Sequence, residues 1–363
     1  MALAAYNSDR ISFFFSSSAA IQTVFNMSIQ FQIFPDRSGA FDYSSNATRV
    51  AGEKVDELAD LWQQGRLSEK RFQAALEQQL QQTPWLLDAH VFLASSYFDL
   101  GKPVKALEAA QRGLDAAHDM MPEGFSGRVE WGHLENRAYL RMLHIALLCL
   151  SRRRKHKEAV EIAVLMLARN PNDNQGARFV VGSELLRAGM RKEAAVALQE
   201  HAADYPPYWY ELGLCHAIDD NWVAAATAFR RGFAANHYIA ELLLNESLPR
   251  PLLIHHGSNL EDPSTAAEYV NACGDLWLAP NGAERFLRWL YNQSQALMER
   301  AGILACKEEL LWAANSADAA KIVQRLDALT SKIDDKLSKA IVQQRTTRRG
   351  QTGWPWNLAL GML

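Results

Sequence analysis

The chain of 363 residues has little proline and glycine, few cysteines and no excess of charge of either sign. Because 38 Lys and Arg face 41 Asp and Glu, the net charge is -3, and no global basic surplus drives binding to nucleic acid or to a membrane surface. No apolar run reaches the roughly 18 residues that a membrane-spanning helix needs. Hydrophobic residues make up 48% of the chain, which is enough to bury a core and excludes disorder by composition.

Cysteines and catalytic motifs are equally sparse. The four cysteines share neither a disulfide spacing nor a metal-ligand spacing, which is typical of buried thiols in a reducing compartment and favours a cytoplasmic protein. They are Cys149, Cys215, Cys273 and Cys306. No P-loop, GxGxxG, GxSxG or HExxH motif occurs, so the sequence predicts no cofactor, no metal site and no activity of these familiar kinds.

The N-terminal extension, residues 1–46, differs in composition from the remainder of the chain. Residues 1–26 contain an apolar, Ser-rich stretch without a clear cleavage site, so we expect either a disordered tail or an upstream extension ahead of a true start at Met27, rather than a signal peptide. Residues 28–34 alternate apolar and polar side chains, which predicts a short strand. The turn residues of 35–46 predict a loop.

From residue 47 the apolar period becomes that of an α-helix, and helical hairpins recur to about residue 240. Four of the hairpins have a small residue in the first helix and an alanine in the second helix, and two of these four have a glycine at the turn, Gly101 and Gly189. The alanines of the second helices are Ala106, Ala159, Ala194 and Ala225. The first interval is the longest, so we predict an insertion at 119–137. Gly182 and Gly213 are predicted where paired helices approach closely.

Residues 89–118 resemble the tetratricopeptide repeat (TPR), with Leu93, Ala94, Tyr97 and Gly101 at the positions that its pattern specifies. Four copies are assigned, near 87–118, 140–171, 175–206 and 206–237. The segments 127–143, 170–186 and 238–290 further resemble a group of uncharacterised bacterial TPR proteins and, more distantly, the suppressor-of-tumorigenicity-seven family.

The resemblance implies an all-α fold, a right-handed TPR-type solenoid over 47–240 in which stacked neighbours bury one another's faces. A helical C-terminal region is expected over 241–344, with helices at 283–314 and 317–344. Residues 345–363 are expected to form a loosely ordered tail.

In TPR proteins the first helix of each hairpin lines a concave groove. Carried over by phase, the groove residues of this chain are Phe92, Ser95, Phe98, Arg141, His144, Phe179, Ser183, Tyr210 and Glu211. Such a mixed, largely apolar lining predicts a non-enzymatic scaffold or adaptor that holds a segment of a protein or peptide partner. The alternative for some of these residues is the core. The oligomeric state stays open.

Two further patches carry alternative functions. Trp131 and His133 lie in the insertion, which either projects beside the groove or folds back so that Glu135 and Asn136 cap the next helix. A basic turn contains Arg152, Arg153 and Arg154. Together with the tail, which combines Arg345, Arg348 and Arg349 with Trp354 and Trp356, this turn would suit a regulatory subunit that contacts nucleic acid or a nucleoprotein. A solvated turn and a tail that docks on its own body are the structural alternatives.

A third hypothesis is an uncharacterised enzyme that uses His255 and His256, or the insertion. Adjacent side chains on an extended chain point apart, and no carboxylate or cysteine lies at ligand spacing, so a structural loop is favoured. The polar run 172–176, with Asp173, is predicted to cap the helix that comes after it.

Overall fold

A computed structural model describes residues 29–245, 257–278, 282–348 and 350–358. Within these ranges α-helix predominates and two short β-hairpins complete the structure, so the predicted all-α class is confirmed. None of the helices described is both long enough and apolar enough to cross a membrane. The predictions for residues 1–26, Met27, His255–His256 and Arg349 lie outside the described residues.

The chain divides into two compact units between Ala188 and Gly189. In the first unit, strands β1 (Gln30–Ile33) and β2 (Gly39–Asp42) pair antiparallel, with Phe31 opposite Phe41. The helices after them are α1 (Asn46–Gln63), α2 (Glu69–Gln82), α3 (Leu87–Asp99), α4 (Pro103–Met120), α5 (Asn136–Arg152), α6 (His156–Arg169) and α7 (Val181–Arg187). The predicted strand is confirmed at β1, and the prediction that 35–46 is entirely loop is wrong because it contains β2.

Helical hairpins are present where the first two repeats were predicted. The pair α3 and α4 covers the copy near 87–118, and α5 and α6 cover the copy near 140–171. Gly101 adopts a φ of 68° at the first turn, and Pro103 opens α4, where its missing N–H costs no hydrogen bond. At the second turn Arg154 takes the same left-handed region with a φ of 57°.

The insertion folds back onto the N-terminal hairpin. Its backbone pairs with the strands and with the end of α6, since the Gly39 N–H donates to the carbonyl of Arg128 at 2.8 Å and the Val129 N–H donates to that of Arg169 at 2.7 Å. The Arg169 guanidinium donates back to the Gly127 carbonyl at 2.6 Å. The insertion therefore folds back, as the structural alternative expects, while its Trp131 stays half-buried beside α5. The predicted capping of α5 by Glu135 is wrong, because Glu135 makes no side-chain cap hydrogen bond to this helix.

The second unit continues the helical pattern. Its helices are α8 (Arg191–His201), α9 (Pro207–Ile218), α10 (Trp222–Ala235), α11 (His237–Leu243), α12 (Pro263–Cys273), α13 (Ala283–Tyr291), α14 (Ser294–Leu311), α15 (Ser316–Thr330), α16 (Asp335–Ile341) and α17 (Pro355–Leu358). Strands β3 (Arg345–Thr346) and β4 (Thr352–Gly353) form a small hairpin. The hairpin of α9 and α10 matches the copy near 206–237, while α7 and α8, of the copy near 175–206, fall in different units.

Two helices predicted as continuous are interrupted. The segment 283–314 breaks before α14, where the Gln293 side chain accepts hydrogen bonds from the N–H groups of Gln295 and Ala296. The segment 317–344 breaks before α16, where the Asp334 carboxylate caps the new helix. In both places a polar side chain satisfies N–H groups that a fresh helix start leaves without partners.

The core of the second unit is aromatic, and the C-terminal segment belongs to it. Trp356 is 2% exposed, with its ring centroid 4.6 Å from that of Phe286 and 4.9 Å from that of Trp222. The prediction of a loosely ordered tail is therefore wrong for its described part, and docking on the protein's own body is correct. Gly213 on α9 lies directly against the ring of Phe229 on α10, which confirms its predicted close approach, while that of Gly182 stays a prediction.

Candidate partner-binding surface and ligand cavity

One stripe of α5 remains accessible in the first unit. It recurs every three or four residues, which places its members on a single face of the helix. The stripe consists of Arg137, Arg141, His144, Leu148 and Arg152. Arg141 and Arg152 are exposed and the other three are half-buried, whereas most of the intervening α5 residues are buried. The predicted groove residues Arg141 and His144 thus lie on one surface with Arg152 of the basic turn.

Helix α3 packs beside α5 and extends this surface. Its contribution is half-buried and consists of Asp88, Phe92, Ser95 and Phe98. The guanidinium carbon of Arg152 lies 3.7 Å from the ring centroid of Phe98, and its Nη1 donates to the Phe98 carbonyl at 3.4 Å. Near the other end, Asp88 is close enough to Arg141 for their charges to interact. The two helices therefore run in the same direction, and we call the face formed by these α3 and α5 residues the α3–α5 surface.

Burial shifts the pKa of two groups on the α3–α5 surface, Asp88 and His144. Burial raises the pKa of Asp88 above its ordinary value, although the positive charge of Arg141 opposes that shift. Burial lowers the pKa of His144, and the charge of Asp173 opposes this only in part. His144 is accordingly neutral at pH 7, and its Nδ1 is buried without a hydrogen-bond partner among the described residues.

Trp131 of the insertion completes the surface. Its ring lies under two guanidinium groups of α5, 5.1 Å from that of Arg137 and 5.6 Å from that of Arg141. This arrangement combines an aromatic face with positive charge, a cation–π geometry. His133 has a different role, because its ring stacks on Phe34 at 5.3 Å and joins the insertion to the N-terminal hairpin.

The rest of the basic turn faces elsewhere. Arg153 lines a concavity of about 710 Å³ together with Arg112 and its ion-pair partner Glu77. Arg154 is exposed at the turn itself. The basic turn therefore has both acidic and basic neighbours, and it does not form one continuous basic patch with the α3–α5 surface. In the described part of the tail, the half-buried Trp354 stacks on the buried Trp356 at 5.0 Å, so these two rings pack onto the protein itself.

Three predicted groove residues are buried in the core. Tyr210 is 0% exposed, and its hydroxyl donates to the Asn236 carbonyl at 2.6 Å. Burial raises its pKa well above the ordinary value. Glu211 is likewise 0% exposed and Ser183 is 4% exposed, so none of the three can meet a partner directly. The groove assignment is wrong for these positions, and the alternative of a core role is correct.

Phe179 keeps some accessible surface. It ends a short 3-10 turn (Ala177–Phe179), and the guanidinium carbon of Arg178 lies 4.4 Å from its ring centroid. Asp173 caps this turn as predicted, because its carboxylate accepts from the N–H groups of Ala177 at 2.8 Å and Arg178 at 2.9 Å. Phe179 thus lies beside a basic side chain, as Phe98 and Trp131 do.

A cavity of about 650 Å³ in the second unit was not foreseen from the sequence. Most of its wall is apolar and comes from α9, α10, α14 and α15. The apolar lining consists of Ala203, Trp209, Ala234, Ala235, Leu310, Val323, Leu326 and Ile333. The charged lining consists of Arg231, Glu261, Lys307 and Asp327. Elements far apart in the sequence build this cavity, and the only local signal was the apolar period of α15.

Metal and thiol chemistry find no support in the described residues. There, no three His, Cys, Asp or Glu side chains come together as metal ligands. All four cysteines are buried thiols. Burial raises the pKa of Cys149 and of Cys215 to about 11, so both stay protonated near neutral pH and are poor nucleophiles.

No family model matches the chain, and a search of the curated proteins finds no match to it.

Proposed function

We propose that the protein is a non-enzymatic adaptor whose α3–α5 surface binds a segment of a protein partner. The observation that supports this most is the pairing of aromatic rings with arginines: Arg152 over Phe98 and Arg141 over Trp131. Both arginines are exposed, and the rings of Phe98 and Trp131 are half-buried. Each pair therefore offers a partner an apolar platform and a positive charge.

The helix arrangement supports the same proposal. Helices α3 and α5 are the first helices of successive hairpins and run in the same direction side by side, as the first helices of stacked TPR units do. We therefore propose a right-handed TPR-type solenoid. A partner segment lying across the two helices would meet Phe92 and Phe98 on α3 and His144 on α5.

The chemistry of the surface favours an amphipathic partner with acidic residues. Aromatic side chains and arginines are the residue types that carry most binding energy at interfaces. Carboxylates of the partner would pair with Arg141 and Arg152, and its apolar side chains would cover Phe92 and Phe98. The neutral His144 can in addition exchange a hydrogen bond with a backbone group of the partner.

Affinity purification of the full chain, with quantitative mass spectrometry of what it captures, tests the proposal. The double variant Arg141→Glu with Arg152→Glu should lose its main partner, since both platforms then carry negative charge. The matched control, Arg153→Glu with Arg154→Glu, changes the charge equally in the adjoining turn and should retain that partner. Circular dichroism should show both variants folded. Loss in the control alone, together with recovery of nucleic acid by the wild type, would instead support the regulatory-subunit alternative.

A further inference from the structure

We propose that the cavity of the second unit binds a small amphipathic anion, an aliphatic or aromatic chain that carries a carboxylate, with Arg231 as its anchor. The inference is independent of the α3–α5 surface, because every residue that lines the cavity belongs to the second unit. Its volume of about 650 Å³ lies within the range of small-molecule sites.

The cavity lining holds two cations and two carboxylates, but only Lys307 and Glu261 form an ion pair among the described residues. Lys307 is 8% exposed, and its ammonium is 2.6 Å from the carboxylate of Glu261, so this pair is neutral overall. Arg231 has no carboxylate partner among the described residues. Its guanidinium carbon lies 5.0 Å from the ring centroid of Trp209, and its Nε and Nη2 donate long hydrogen bonds to the Ile333 carbonyl at 3.4 and 3.3 Å, which leaves Nη1 for a ligand. A half-buried guanidinium with spare donors is suited to a carboxylate.

The apolar part of the lining would pack against an apolar chain of the ligand. Helix α15 has 15 residues, all described, and none of them is buried, although Val323 and Leu326 point into the cavity. Leu310 of α14 faces the same space. A ligand chain between these helices and α10 would cover apolar surface at about 25 cal/mol per Å². Asp327, the remaining charged residue of the lining, is exposed. A neutral or cationic head group would form no ion pair with Arg231.

Calorimetric titration of the full chain with decanoate, below its micelle concentration, tests the proposal. Decanoate should bind at one site per chain, and it should bind more tightly than decanol and decyltrimethylammonium. Arg231→Gln should weaken decanoate binding about tenfold or more and leave decanol binding unchanged. Arg231→Lys should retain part of the affinity. Val323→Trp, at a position that is 41% exposed, should block the cavity and abolish binding of both without unfolding the protein.

Lys321→Gln is the matched control, because it removes a cation from the exposed side of α15, where the Lys321 side chain is 77% exposed. It should bind decanoate as the wild type does. The proposal is overturned if the wild type does not bind decanoate, if Arg231→Gln and Lys321→Gln bind it equally, or if decyltrimethylammonium binds as tightly. Binding that survives in Val323→Trp would place the site outside this cavity and would contradict the proposal too.

Discussion

The side-chain carbonyl of Asn136, the first residue of α5, accepts a hydrogen bond of 3.2 Å from the backbone N–H of Phe41 in β2. The amide group of the same side chain donates to the carbonyls of Gly39 at 3.1 Å and of Glu130 at 3.0 Å. One carboxamide therefore joins the N-terminal hairpin, the insertion and the second helical hairpin. Asn136 is 0% exposed, so its hydrogen bonds with these backbone groups are shielded from water.

Asn136→Ala should therefore destabilise the protein by about 2 kcal/mol or more, because it leaves buried backbone groups unsatisfied. Asn46→Ala is the matched control, since Asn46 is also the first residue of a helix but is exposed. It should change stability by no more than about 0.5 kcal/mol. Urea denaturation followed by circular dichroism measures both. Equal stability of the two variants would contradict the role given to Asn136.

Gly213→Leu should destabilise the second unit by about 3 kcal/mol or more, and Gly213→Ala by less. Any Cβ at this position would collide with the Phe229 ring, which is fully buried and cannot move aside. At Gly52 in α1 an added Cβ would have no neighbouring atom within 4 Å, so Gly52→Ala should instead stabilise α1 by up to about 1 kcal/mol. Thermal unfolding of both alanine variants checks the contrast in sign.

Trp356→Ala should cost about 3–5 kcal/mol of stability, the range for removing a large buried aromatic side chain. Trp312 provides the comparison, since it is 76% exposed at the end of α14, and Trp312→Ala should be nearly neutral. Differential scanning calorimetry distinguishes the two. Should Trp356→Ala unfold with the wild-type midpoint, the C-terminal segment would not be part of the core.

His118 should make stability depend on pH. Burial, with a contribution from Arg169, lowers its pKa from 6.5 to about 4 in the folded protein. The unfolded chain therefore binds one more proton between these values, so the stability that this group contributes is complete above pH 6.5 and is lost as the pH falls towards 4. His118→Gln should remove about 2 kcal/mol of that pH-dependent loss. Denaturant titrations at pH 5 and pH 7 measure it, and an unchanged difference between the two pH values would show that another group is responsible.

The hairpins could be predicted from the sequence because the residues that form each turn and helix start are close neighbours in the chain. Gly101 permits the left-handed turn, Pro103 starts α4, and the buried Ala106 allows a close helix pair. The same signals predicted which positions of α3 and α5 share a face. They could not show that Tyr210 is buried, since its cover comes from Phe233 and Asn236, more than twenty residues further along the chain.

By itself, the sequence determined the helical class, the hairpin positions and the alternation of small and large side chains, because propensity and period are properties of neighbouring residues. Only the tertiary structure decided that β2 is a strand, that the insertion folds back and that Trp356 enters the core. In each case the partner lies far away in sequence: Asn136 for β2, Arg169 for the insertion and Trp222 for Trp356. The cavity beside Arg231 has the same origin, because it exists only where helices from four parts of the second unit meet.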